Sequence, residues 1–133
     1  MARTQPNRRR TEHRIPFPPR TAPPGQLEPI TPEKIAVAVE RIVRRFDPVK
    51  VILFGSQARG GGGPHSDVDL LIVLDECPNK TRATVEAFSE LGDAPFPKDI
   101  VVTTPDEIAR RGSLVATVLR PALVEGQVLY ARS

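Results

Sequence analysis

At 133 residues, with 39% apolar and 26% charged side chains, the chain has the make-up of one globular domain and little room for a second. No stretch approaches the ~18 apolar residues that cross a bilayer, and no apolar run follows the basic N-terminus as a secretory leader requires, so membrane insertion and export are not expected and a cytoplasmic setting is. Cys77 is the single cysteine, which excludes an internal disulfide and fits a reducing compartment.

The net charge of +3 is unevenly spread. Residues 1–30 carry six Arg against two acids, whereas residues 31–133 carry 13 basic and 14 acidic side chains. Basic character therefore belongs to the N-terminal segment, and the remainder gives no electrostatic support for nucleic-acid binding. That segment also holds seven of the fifteen prolines and the run Arg8-Arg9-Arg10. So few apolar side chains do not offset the entropy of ordering, so residues 1–30 read as a disordered tail with polyproline-II character around 16–24. A basic arm touching RNA or a protein is the functional alternative. The domain is set at 31–133.

The first helix is expected to begin at Thr31-Pro32-Glu33, where Thr31 caps, Pro32 suits the first position and Glu33 meets the positive end of the helix. Ile35, Val39, Ile42, Val43 and Phe46 continue it at helical spacing, and Asp47-Pro48 ends it. Residues 49–54 are rich in β-branched side chains and predict a strand. Gly55-Ser56-Gln57-Ala58-Arg59 reads as a turn opening a short helix, followed by a flexible glycine loop over 60–63. Residues 67–74 predict a central second strand. A helix over 79–92 places Val85, Phe88 and Leu91 on one face and stops at Gly92. Residues 99–103 predict a third strand. Thr104 and Glu107 then form a capping box for a short helix reaching Arg111. A further helix is expected from Ser113, bent at Pro121 and ending at Gly126, with a last strand over 127–131.

Asp67 and Asp69 flank one residue at the start of a strand, so both carboxylates point to the same face. Two like charges so placed repel, and a divalent cation between them resolves the conflict; carboxylate oxygens are the ligands magnesium prefers. Gly55-Ser56 follows the first strand directly. A helix opening there aims free N–H groups at a phosphate, and Gly55 allows close backbone approach. Arg59 is a second phosphate candidate. Each feature alone is weak, since Ser56 serves equally as a plain cap and Arg59 as a surface ion pair. Together, Gly-Ser, ten intervening residues and Asp-x-Asp arise by chance in about one chain per thousand of this length. His13, His65 and Cys77 lack the paired spacing of a zinc site.

This spacing resembles the signature of the DNA polymerase beta-like nucleotidyltransferase superfamily. Leu53-Phe54-Gly55-Ser56-Gln57-Ala58-Arg59-Gly60, Ser66-Asp67-Val68-Asp69-Leu70-Leu71-Ile72-Val73 and Glu125-Gly126-Gln127-Val128-Leu129-Tyr130 are similar to its minimal, antitoxin-like branch. The glycine loop at 60–63 is a departure from that branch. The resemblance implies an α/β fold of the two-layer α+β kind, a small mixed sheet with helices packed on it. It also implies a third carboxylate on the next strand, where Asp99 falls. For the acids to meet, the first two strands should run antiparallel and the second and third parallel, joined by a helical crossover.

What the resemblance implies chemically is transfer of a nucleotide, AMP from ATP, to an acceptor. Asp67 and Asp69 would hold two magnesium ions. Asp99 would ligate the second or help remove the acceptor's proton. Gly55, Ser56 and Arg59 would take the nucleotide's phosphates. The expected acceptor is a partner protein, a small helical ribonuclease toxin. The alternative is an antitoxin that neutralises such a toxin by binding, with little or no catalysis. Nucleic-acid binding through the tail ranks behind both.

Overall fold

In the computed structural model, residues 14–26, 28–55, 66–111 and 126–132 are described. Helix α1 spans Pro32–Phe46. Thr31 Oγ1 accepts the Lys34 N–H at 3.3 Å, and at the far end Asp47 turns left-handed (φ 49°) with its N–H on the Val43 carbonyl. Strand β1 (Lys50–Phe54) follows at once, then β2 (Val68–Val73), helix α2 (Lys80–Glu90), β3 (Lys98–Thr103), the short helix α3 (Pro105–Arg111) and β4 (Gln127–Ala131). Asn79 caps α2 through Arg82 N–H, and Thr104 Oγ1 accepts Glu107 N–H at the start of α3, one of the two bonds of the expected capping box.

The four strands form a single mixed sheet in the order β3-β2-β1-β4. β1 is antiparallel to β2 and to β4, and β2 is parallel to β3, with α2 making the crossover. This is the two-layer α+β architecture expected from the sequence. Period-two alternation splits its side chains between two faces. Val51, Leu53, Val68, Leu70, Ile72, Ile100 and Val102 face α1 and α2 and form the main core with Ala38, Val39, Ile42, Ala83, Ala87 and Leu91. Ile52, Leu71 and Val73 face the other way and pack with Phe54, Val101 and Ile108 of α3.

Two expectations are corrected. On α2 the buried stripe is Ala83, Ala87 and Leu91, while Val85 is 62% exposed. Small alanines let the helix lie close to the sheet, and a residue two positions on points to nearly the opposite side. The second correction concerns the N-terminal segment: several of its described residues contact the domain, while residues 16, 19–21 and 23–26 are exposed. Phe17 and Ile30 join the main core, and Glu28 is buried, accepting the N–H groups of Thr21 and Ala22 and the Lys34 ammonium. Both apolar contacts and these polar bonds tie the segment down, and composition does not report the polar bonds. Residues 1–13 lie outside the described residues, as do residues 113–125 of the helix expected to end at Gly126. Among the described residues no helix is long and apolar enough to cross a membrane.

Candidate active site

The antiparallel β1/β2 pair brings the end of β1 beside the start of β2, with Phe54 opposite Asp69. The parallel β2/β3 pair then sets Asp69 opposite Asp99. Asp67 and Asp69 share the strand parity of Leu71 and Val73, and Asp99 that of Val101. All three acids therefore belong to the sheet face turned away from α1 and α2. The sequence-expected carboxylates are thus brought to one end and one face. Ser56 and Arg59 lie outside the described residues, with the loop at 60–63.

Gly55 follows β1 with φ 79°, a conformation in which a side chain is strained. A Cβ there would run into Asp69 Oδ2, so the missing side chain makes room for that carboxylate. Asp69 is half-buried, whereas Asp67 and Asp99 are exposed. Partial desolvation, then the neighbouring carboxylates of Asp99 and Asp67, push the Asp69 carboxyl above its ordinary value. Asp99 Oδ1 accepts its own strand's Ile100 N–H at 3.0 Å. Just before the acids, Val68 N–H donates to Pro97 O at 2.9 Å and ties the starts of β2 and β3 together.

Among the described residues no group of three His, Cys, Asp or Glu side chains is already gathered around one ion position. The donor set itself suits magnesium: every candidate ligand is a carboxylate oxygen, and the cradle at Gly55 keeps Asp69 unobstructed. A groove of about 400 Å³ between α1 and β4 is lined by apolar side chains such as Ile35, Val39, Leu53 and Leu129. It opens on the helix-covered face, contains none of the acids, and has no part in this chemistry.

Sequence reasoning missed the supports of the site's rear wall: Phe17, Phe96 and the buried Arg41. A signal was present on α1, where Lys34, Ala38 and Arg41 form one stripe at three- and four-residue spacing. A small residue between two long basic ones marks a face that something covers, yet it does not say what.

Residues 35–121 match the nucleotidyltransferase domain family. No curated protein matches the chain. Among solved structures, a candidate nucleotidyltransferase from Sulfolobus solfataricus superposes with a TM-score of 0.54 at 20% identity, covering 75% of this chain and 79% of that one. A toxin-antitoxin solved with AMP-PNP gives 0.52 at 20% identity, covering 74% of each chain. Sheet order, strand-end acids and a match over most of the folded residues agree, and the chain belongs to the nucleotidyltransferase domain family.

Proposed function

We propose that this domain transfers a nucleotide, AMP from ATP, to an acceptor held over the open end of the sheet: the acceptor's oxygen bonds to the α-phosphorus as the bond to the β-phosphate breaks and pyrophosphate leaves. The observation that carries the reading is the pairing of Asp69 with Asp99 across parallel strands, beside Gly55 and two residues from Asp67. Asp69 is pushed up first by partial burial and then by the neighbouring carboxylates of Asp99 and Asp67, and a cation would relieve both costs. Asp67, Asp69 and Asp99 would hold two magnesium ions, which when bound neutralise phosphate charge and lower the barrier to attack by the acceptor's oxygen. Asp69 and Asp67 orient the phosphates; Asp99 completes the metal set or receives the acceptor's proton. Gly55 and Ser56 would receive the phosphate oxygens on backbone N–H groups, with Arg59 as a further cation.

The acceptor on this reading is a partner protein, a small helical ribonuclease toxin, met in the cytoplasm. The fold shared with a toxin-antitoxin solved with AMP-PNP supports both the donor and the partner. Neutralisation by binding alone is the second reading, favoured by the same likeness. A nucleic acid held by residues 1–30 is the least supported.

Incubating the protein with α-labelled ATP, magnesium and its partner tests the proposal. Label on the partner, lost in Asp69→Asn, is expected. Unlabelled partner, or transfer at an unchanged rate by Asp69→Asn, overturns it. Toxin inhibition that survives Asp67→Ala and Asp69→Ala selects the binding reading.

A further inference from the structure

Residues 14–30 precede the family match, which begins at residue 35, yet they reach the strand ends that carry the acids. Phe17 meets Phe96 edge to face, with ring centroids 6.0 Å apart. Phe96 is buried and precedes Pro97, whose carbonyl accepts Val68 N–H; Val68 lies between Asp67 and Asp69, and Asp99 is two residues beyond Pro97. Phe17 is itself held from behind. The Arg41 guanidinium stacks on its ring at 4.3 Å, donates to Ile15 O at 2.8 Å and Glu90 O at 3.2 Å, and forks onto Asp93. One buried cation thus pins the N-terminal segment and the loop between α2 and β3 together. Arg14 of the same segment adds ion pairs to Glu90 at 3.4 Å and to Asp93 at 3.7 Å. Further along, Arg20, Gln26 and Glu28 face Ala94, Phe96 and Pro97 across a cleft of about 350 Å³. Phe17 is the contact that carries the segment's support forward to Phe96, next to Pro97.

We infer that Phe17 is a positioning residue for the carboxylates: through Phe96 and Pro97 it sets the start of β3 against that of β2 and so the spacing of Asp99 from Asp67 and Asp69. The inference rests on the nucleotidyl-transfer reading for its chemical meaning. The mechanical link from Phe17 to Val68 does not. A displacement of about 1 Å at such a site is enough to cost roughly a hundredfold in rate, so a ring wedged behind the loop matters although it touches no acid.

The test uses the full chain with Phe17→Ala and Phe17→Leu, at a temperature where circular dichroism shows each folded. Three quantities are read: hydrogen exchange at the Val68 amide against Ile72 as an internal control, Mn²⁺ affinity by calorimetry without nucleotide, and label transfer. In Phe17→Ala, Val68 should exchange about tenfold faster with Ile72 unchanged, and Mn²⁺ should bind about tenfold more weakly. Phe17→Leu should restore most of both. A folded Phe17→Ala with wild-type Val68 exchange and Mn²⁺ affinity overturns the inference. Should Phe17→Ala not fold, Phe96→Leu carries the same test, with the same outcomes. A folded wild type that binds no Mn²⁺ and transfers no label refutes the proposed function instead, and exchange at Val68 tells the two failures apart.

Discussion

Replacing Gly55 by alanine tests the site where backbone and chemistry meet. At φ 79° an alanine is held in the left-handed region, which costs about 1–2 kcal/mol. Its Cβ also meets Asp69 Oδ2, and turning that carboxylate off its rotamer adds about 1 kcal/mol. The sum of about 2–3 kcal/mol corresponds, for a domain of this size, to a fall of about 10 °C in Tm. The two contributions are separable. Gly55→Asn tolerates the left-handed backbone better but keeps the Cβ, so it should regain about 1 kcal/mol while leaving Asp69 displaced. Thermal unfolding and Mn²⁺ calorimetry on both variants read this out. Expected is a partial recovery of Tm in Gly55→Asn with Mn²⁺ binding weakened in both. A Gly55→Ala protein that matches wild type in Tm and Mn²⁺ affinity would show that the cradle at Asp69 has been misread.

The Glu28 carboxylate is held down to about 2 by the N–H of Ala22, with the N–H of Thr21 and the Lys34 ammonium assisting against desolvation. A depressed acid adds stability above its unfolded value of 4.5 and loses it as pH falls toward about 2, so urea midpoints should drop between these limits and Glu28→Gln should flatten the drop. Arg41→Ala leaves Ile15 O and Glu90 O without their donor and Asp93 without its fork; since Asp93 is half in water, about 2–4 kcal/mol in urea unfolding is expected. Arg41→Lys, which has neither the fork nor the flat face, should recover little of it. Val85→Lys should change stability by less than about 0.5 kcal/mol, whereas Ala87→Lys, on the buried stripe, should cost several; equal effects would reverse the assigned face of α2.

The helix from Pro32 and the strands were legible because local chemistry and periodicity agree: Thr31 caps, Pro32 opens, Asp47-Pro48 closes. The pairing directions were legible for a different reason. Asp67, Asp69 and Asp99 meet only if β2 and β3 run parallel, so the resemblance constrained the topology. What was not legible depended on contacts distant in sequence. On α2 Phe88 and Leu91 pack on the core as expected, but Val85 was misplaced because it is more apolar than Ala83 and Ala87, the residues that close approach selects. Residues 1–30 looked unable to fold by composition; the described part, 14–26 and 28–30, makes specific contacts. Those residues are ordered by a handful of specific partners, Glu28 on backbone N–H groups and Arg41 on Phe17, that no single-segment count contains.

The sheet order β3-β2-β1-β4 has a consequence for how the chain emerges during synthesis. By Thr103 β1, β2 and β3 have all been made, and with them all three acids. The outer edge of β1 then waits for β4, whose residues begin only at Gln127. Until β4 leaves the ribosome, Val51, Ile52 and Leu53 present a bare apolar edge of unpaired N–H and C=O groups, the kind of edge that pairs with other chains. Ribosome-bound chains halted near residue 120 should therefore be captured by holding chaperones, and chains tethered through a flexible linker appended after residue 133 should be released from them.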